Sequence, residues 1–537
     1  MNALGILLRF RLRRDRVRAL VWVLVLALSA LFVAAALAKT YNTEPLRVGV
    51  LKLLSLDPAL LALRGAPDGA GAGAFFMVEI GSYLALLIAF MNSFTAVRHT
   101  RADEESGRSE LIVATRAGRG SATVATVIHA TALNVLVGLF TALAMMAAGF
   151  GVAGSLTLGW ALACAGIAFF GVGLLTAQIF STSRAANGWG SAIIGVAWVL
   201  NAAGNAAGTT APDGLHVTPG AAVWFSPIGW ALRTRPFTAN DWLPGLIGIA
   251  FAAVLIAVAF ALQGRRDTAA GLVAARNGRP WASVALRGPG SLAWRLQRGS
   301  IIGWGVGAII GAAAIGGLGG TLKDAMEKNP QLATAVKAMG SGHGTVFESF
   351  LGIMMTLVGL VVAGAAIQTM MRMRQEETAG TAELVLATGA SRLRWYLSYV
   401  VVALVASALI LALSGLVAGS ALASIDAGLM WQATALALAQ LPAVGAYLAI
   451  TALAFAVVPP VTIPVGWTLF GFGIVFGEFG GLLGLPDWVR SLAPTTHTAV
   501  APLANADWSG TWVMSLLALV LIGVGAVAFR ARNVTTV

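Results

Sequence analysis

The chain is predicted to be an all-α polytopic membrane protein of about twelve transmembrane helices, built as two parallel tandem repeats of one six-helix unit. Three observations predict it: an apolar composition, recurrent apolar runs of span length, and an internal repeat at an offset of 273 residues. Of 537 residues, 58% are hydrophobic and 11% charged, with a mean hydropathy of +0.83. No water-soluble core can bury that much apolar surface. Crossing roughly 30 Å of hydrocarbon takes about twenty apolar residues per helix, and the chain supplies such runs throughout.

The first six spans are placed near 17–38, 76–97, 122–149, 155–180, 186–205 and 243–263, and the second six near 299–320, 347–371, 395–419, 428–457, 462–482 and 511–529. Pro459, Pro460 and Pro464 make the boundary between the tenth and eleventh the hardest to place. Basic residues set the orientation, because cytoplasmic loops retain Lys and Arg. With the N-terminus inside, the inner segments 1–18, 98–120, 264–298, 372–394 and 530–532, together with Arg184, hold 25 of the 35 basic residues. Every lysine falls outside: Lys39, Lys52, Lys323, Lys328 and Lys337. Both termini are therefore expected in the cytoplasm, the protein lying in the inner (plasma) membrane.

The net charge of +13 does not point to nucleic acid, since the arginines sit at span ends where anionic headgroups meet them. The segment Asn2 to Arg18, with Leu4, Leu7, Leu8, Phe10 and Leu12 among its arginines, is expected to lie as an interfacial amphipathic helix before the first span. Cys164 is the one cysteine, which leaves a disulfide, a thiolate metal site and a Cys nucleophile unsupported. His99, His129, His216, His343 and His497 lack ligand spacing, so no metal is expected. No GxxxxGK[ST] phosphate loop, paired carboxylates or Ser/His/Asp set marks the chain as an enzyme.

The repeat organises the rest. Arg101–Arg119 aligns ungapped with Arg374–Arg392, and nine of nineteen positions are identical, Glu104/Glu377, Gly107/Gly380, Glu110/Glu383 and Leu111/Leu384 among them. RLRR at Arg11–Arg14 matches RLQR at Arg295–Arg298, each just before the first span of its half. Pro227, Pro236, Asp241, Trp242 and Asp267 match Pro494, Pro502, Asp507, Trp508 and Asn533 in the same order. An even number of spans per copy makes the repeats parallel. The domains are thus 1–263, a cytoplasmic linker 264–298 with Gly264, Gly278, Pro280, Gly288, Pro289 and Gly290, and 299–537. Short interfacial helices are expected near Trp281 and Trp294, and the outer segments 39–75, 206–242, 321–346 and 483–510 read as half-inserted caps or loops.

The loop after the second span of each half is too short for an enzyme domain, yet its first copy holds four basic and four acidic side chains in nineteen residues. ELIVAT and ELVLAT each suit a brief helix with apolar residues on one side and a Glu near its N-terminus, where the helix dipole favours an anion. A polar topogenic turn would preserve charge without preserving that order, so the loop is read as a docking surface. Its residues are Arg101, Asp103, Glu104, Gly107, Glu110 and Arg119, with Arg374, Glu376, Glu377, Gly380, Glu383 and Arg392 in the second copy.

Over its full length the sequence resembles type-2 ABC exporter permeases of the polyketide-antibiotic branch. The resemblance rests on the doubled six-span plan, the ExxG...EL..AT loop after spans two and eight, and SPIGW...RPF...DW at Ser226 to Trp242. It implies that the loop is a coupling helix fitting a cleft of a separate ATPase, with Glu104, Glu110, Arg119, Glu377, Glu383 and Arg392 in that role. It further implies ATP and Mg on a homodimeric ATPase partner, no cofactor on this chain, and export of large hydrophobic or amphipathic compounds such as antibiotics and drugs. Thr378, Thr381 and Gly389 replace Glu105, Arg108 and Arg116 in the second copy, which puts equal strength of the two contacts in question. A substrate path between the halves, lined by the first, second and fifth spans of each, would draw on Trp22, Phe90, Asn92, Phe94, Trp198 and Asn201, with Trp304, Gln368, Met370, Phe470 and Phe472. Two alternatives remain open: export of a lipid or envelope component, and a proton-coupled antiporter using Glu478, the deepest of Glu79, Glu348 and Glu478.

Overall fold

Long apolar runs without internal proline satisfy their backbone within one segment, which is the condition for a helix in hydrocarbon. The computed structural model describes residues 3–115, 118–267, 270–273, 280–328, 346–423, 425–478, 480, 485–499 and 506–533. Expectations that involved Lys337, His343, Pro502 and Gly278 lie outside these residues, as does the side chain of Arg119. The chain divides into two units, Met1–Gly278 and Arg279–Val537, the division falling within the predicted linker.

In the first unit, helices α1 (Ala3–Thr40), α5 (Ser82–Arg98), α8 (Gly118–Ala147), α9 (Val152–Ile179), α10 (Ser183–Ala206) and α12 (Leu243–Arg265) carry the six runs. Shorter helices α2 (Glu44–Leu56), α3 (Pro58–Arg64), α4 (Ala72–Phe76), α6 (Arg101–Glu105), α7 (Arg108–Val113) and α11 (Pro227–Leu232) connect them, α4 running through a π turn at Met77–Gly81 into α5. In the second unit, α13 (Pro289–Lys328), α14 (Val346–Thr378), α16 (Arg392–Leu422), α17 (Leu429–Leu438) with α18 (Leu441–Val457), α19 (Thr462–Phe472) and α21 (Ser509–Ala531) repeat the order. Short α15 (Thr381–Leu386) and α20 (Asp487–Arg490) complete it.

The packing repeats as well. In the first unit α1 packs on α8, α5 on α9, α8 on α9, and α9 on α12; in the second α13 packs on α16, α14 on α18, α16 on α17, and α18 on α21. Each unit is thus organised around its fourth span. Small residues make this approach feasible, as helices in lipid associate through close contact of backbones rather than through hydrophobic exclusion. Where α8 crosses α9, a Cβ on Gly138 would meet the Gly159 carbonyl oxygen at 2.5 Å, and one on Gly159 would meet that of Gly138 at 2.4 Å.

Among the described residues eleven helices are long and apolar enough to span a membrane. The exception is α10, the expected fifth span. Its 24 residues reach about 36 Å at 1.5 Å per residue, but they carry Asn187, Asn201 and Asn205. Asn201 and Asn205 turn into the unit, while Trp189, Val196 and Val199 face outward.

Two expectations are corrected. The N-terminal segment is no separate interfacial helix but the first turns of a continuous 38-residue α1, because nothing in it breaks a helix. Leu7, Arg11 and Asp15 form a buried i, i+4 stripe, and Arg11 donates to the carbonyls of His99 (3.3 Å) and Ala122 (2.9 Å) rather than to lipid headgroups. Neither is the linker free. Val273 pairs with Ile179 at 2.9 Å, and α13 starts at Pro289, absorbing the short helix expected near Trp294.

The segments 39–75 and 206–242 of the first unit, expected on the outer side, form an ordered cap. Leu51, Leu54, Leu61, Phe75, Val78 and Val217 cluster, and a two-residue hairpin pairs Thr209–Thr210 with Val217–Thr218. Asp68 fastens it to the RPF turn by accepting from Arg235 Nε at 2.7 Å and Nη2 at 2.5 Å. That turn holds Arg235, Phe237 and Asn240 at positive φ. Burial raises the Asp68 pKa, but hydrogen bonds from Arg235 and Thr238 outweigh it and leave the carboxyl below its ordinary value. A carboxylate with a lowered folded pKa stabilises fully above its unfolded value, and the contribution is lost as pH falls through the folded one. Acidification below about 4 should therefore loosen the cap. Limited proteolysis of the outer segments should show this pH dependence in the parent protein and little of it in Asp68→Asn, which is loose at every pH.

Candidate functional site

The loop after the second span is built twice on one plan. Helix α5 ends at Arg98, α6 follows, and Gly107 at φ +72° opens α7; in the second unit α14 runs to Thr378 and Gly380, also at φ +72°, opens α15. A left-handed turn at that angle strains any residue with a Cβ, which explains the repeated glycine. Both short helices place a Glu in the first turn, Glu110 and Glu383, where unpaired amides favour it.

A buried charge clamp holds the base of the first loop. Arg266, just beyond α12, grips Glu104 with two hydrogen bonds, Nη2 to Oε1 at 2.6 Å and Nη1 to Oε2 at 2.9 Å. It also donates to Gln178 Oε1 at 2.8 Å and to the Ala270 carbonyl at 2.7 Å. Arg101, fully buried, donates to Glu104 Oε2, the oxygen that also accepts from Arg266 Nη1, at 2.8 Å and to the Ala177 carbonyl at 2.6 Å. Arg14 of α1 binds Asp103 at 2.7 Å. A polar cavity of about 50 Å³ lies against this clamp, between Arg11, Glu104, Ser109 and Gln263.

The second unit uses the matching residues in a different balance. Arg532, beyond α21, lies 2.9 Å from Glu377, and Arg374 lies 3.5 Å from it. Neither Glu377 oxygen meets hydrogen-bond geometry, so the contact is ionic. The Arg532 guanidinium sits over the rings of Phe455 (5.2 Å) and Phe529 (5.4 Å) instead, a cation–π arrangement. Arg392 donates to the Arg532 carbonyl at 2.5 Å.

The expected docking residues therefore separate into two sets. Arg101, Asp103, Glu104, Arg374, Glu376, Glu377 and Arg392 hold the loop to its own unit, as the distances above and the Arg372–Glu376 pair at 2.5 Å show. Gly107 and Gly380 shape it. Glu110 and Glu383 point outward, and beside them Leu111 is 74% and Leu384 70% exposed. An exposed leucine at the same place in both copies is a surface without a partner among the described residues. Glu105, without a counterpart, accepts from the Ser183 amide at 2.8 Å and so caps α10.

Within each unit the residues expected along a substrate path have different surroundings. Asn92 is buried and pairs with Asn134 through reciprocal amide hydrogen bonds of 2.9 and 2.7 Å, and Met370 is fully buried in the core of its unit. Both are packing residues. Asn201 is buried as well and borders a polar cavity in the outer cap. Trp22 and Phe94 line a cleft beside α1 and α5, and Phe90 stacks near Phe94 at 5.6 Å. Trp198 meets Tyr83 at 5.4 Å. In the second unit Gln368 accepts from Trp304 and from Ser300, Phe470 packs on Trp467 at 5.7 Å, and Phe472 on Phe476 at 4.3 Å. Of the candidate intramembrane acids, Glu79 pairs with Arg64 at 2.5 Å and Glu348 accepts from Gln432 at 3.1 Å.

Sequence reading missed two features. Arg266 and Arg532 were detectable, for they precede Asp267 and Asn533, already paired in the repeat. The other is a cluster of Asp15, His99 and His129, whose ligating atoms lie within 4.8 Å of one another. Linear spacing gave no sign of it, since three separate helices supply the residues. The paired DW also has a local role: Asp241 accepts from the Leu243 amide at 2.9 Å and Asp507 from the Ser509 amide at 2.8 Å, each opening the sixth helix of its unit.

The chain is 35% identical over 535 residues to the multidrug efflux system permease protein Rv1217c of Mycobacterium tuberculosis (strain ATCC 25618 / H37Rv), covering 98% of this chain and 94% of the relative. Residues 286–530 match the family model of the multidrug efflux system permease Rv1217c, C-terminal domain. With such identity over nearly its whole length, the chain belongs to the family of multidrug efflux system permeases.

Proposed function

We propose that the chain is the membrane permease of an ATP-driven ABC exporter, moving large hydrophobic or amphipathic compounds, antibiotics and drugs among them, out of the cell. The observation that carries this reading is the exposed Glu-Leu pair on the glycine-started helix of each unit, Glu110–Leu111 and Glu383–Leu384. Two such knobs fit two clefts of a homodimeric ATPase, which would bind the ATP and Mg that this chain does not. The loops then face the cytoplasm, as do both termini, and the protein sits in the inner membrane. The name of its relative supports drug efflux over the export of a lipid or envelope component.

The chain by itself should show no ATP hydrolysis and should purify with two ATPase copies per permease, measured by native mass spectrometry. Drug uptake by inverted vesicles should survive a protonophore at constant ATP. ATP turnover by the permease alone would refute the division of labour. Loss of uptake with the gradient, abolished also by Glu478→Gln, would establish the antiporter instead.

A further inference from the structure

We propose that Asp15, His99 and His129 form a site for a divalent transition-metal cation, Zn2+ by its ligand types, at the base of the first repeated loop. Three elements meet there. Asp15 comes from α1, His99 from the residue after α5, and His129 from α8. The three are 5%, 2% and 4% exposed, and the two imidazoles meet edge to face with centroids 5.3 Å apart.

The donor chemistry points to a cation. Asp15 Oδ2 faces Nε2 of both histidines, touching His99 and lying 3.7 Å from His129. Both ring nitrogens of His129 and Nδ1 of His99 are buried without a hydrogen-bond partner. Buried polar atoms are rarely left so, and His129 Nε2, which faces Asp15 Oδ2 beside His99 Nε2, is the orphan that a metal bound through the Nε2 atoms would satisfy. Tetrahedral zinc with bonds of about 2.0–2.1 Å separates its ligand atoms by about 3.3 Å, close to the His129–Asp15 spacing. The short His99–Asp15 contact would open to admit the ion.

The neighbouring arginines leave room for it. Arg98 takes the other carboxylate oxygen of Asp15 at 3.3 Å, and Arg11 is directed to the His99 carbonyl, away from the ring. A cleft of about 280 Å³ reaches Asp15 from the Arg18, Trp22 and Phe94 side. It offers the ion a route to Asp15. The second unit has no equivalent: Gly299 and Arg372 stand at the repeat positions of Asp15 and His99. Metal would thus tie α1, α5 and α8 together directly before Arg101 and its clamp, and only in the first unit.

The test uses the full-length protein, stripped with chelator in lipid nanodiscs and re-equilibrated with zinc alone. Elemental analysis should find about one zinc per chain, and cobalt in its place should give the visible bands of a tetrahedral site. His129→Ala, which removes a ligand, should weaken zinc binding by more than about 100-fold, the upper end of what loss of an outer-shell partner costs, while His129→Cys, which keeps a ligand, should retain the metal; His497→Ala serves as the control. Zinc should raise the thermal midpoint of the parent and not that of His129→Ala. Equal zinc content in the parent and the His99→Ala/His129→Ala double variant would overturn the site. Zinc binding without any thermal shift would overturn its role in tying the three helices.

Discussion

Arg266→Ala should lower the stability of the first unit by about 3 kcal/mol, the lower end of the range for breaking a buried ion pair. Glu104 would keep Arg101 at 2.8 Å but lose both hydrogen bonds from Arg266, and Gln178 and Ala270 would each lose a donor. Efflux should fall with it, even though the exposed face of the loop is untouched, because α6 would no longer be fixed to the end of α12. Thermal unfolding of the purified protein measures the first effect. Adding Glu104→Gln should deepen the loss, since it leaves the buried Arg101 without its carboxylate. If Arg266→Ala reduced efflux at unchanged stability, Arg266 would act in docking and not as a clamp.

The second large effect concerns the exposed helices. Burying a leucine side chain is worth about 1.5–3 kcal/mol, so Leu111→Asp with Leu384→Asp should remove about 3–6 kcal/mol of ATPase association and abolish both co-purification and drug tolerance. Both side chains are exposed, so membrane levels should stay normal, and immunoblotting checks this. The charges should act unequally. Glu110 has the largely exposed Arg108 on the same short helix, where the second copy has Thr381, so the first surface can make more charge-assisted contacts. Glu110→Arg should therefore cost more association and efflux than Glu383→Arg. Equal losses would show that the shared apolar face outweighs charge. Normal pull-down by all three variants would remove the docking role.

The two predictions address residues that the repeat alone cannot distinguish. Glu104 and Glu110 are both matched in the second copy, both acidic and six positions apart, yet one is clamped inside and the other points out. A short helix after a left-handed glycine turn decides between them. The same holds for the path residues: Asn92 and Trp22 both lie in spans, but only the fold shows that Asn92 is occupied by Asn134.

By itself the sequence determined the membrane class, the doubled six-helix plan, eleven of the twelve apolar spans, the ELIVAT and ELVLAT helices and the family. These follow from composition, from helical periodicity and from repetition, each readable within a window of a few tens of residues because bilayer thickness and helix geometry act locally. The tertiary structure alone decided which charges are buried. Arg266 meets Glu104 across 162 positions, Arg101 meets the Ala177 carbonyl across 76, and His99 meets Asp15 across 84. Positive charge near a span end satisfies the topology rule whether it faces headgroups or a carboxylate. Its partner is chosen by the packing of α1, α5, α8 and α9, where burial makes an unpaired charge costly and a paired one stable.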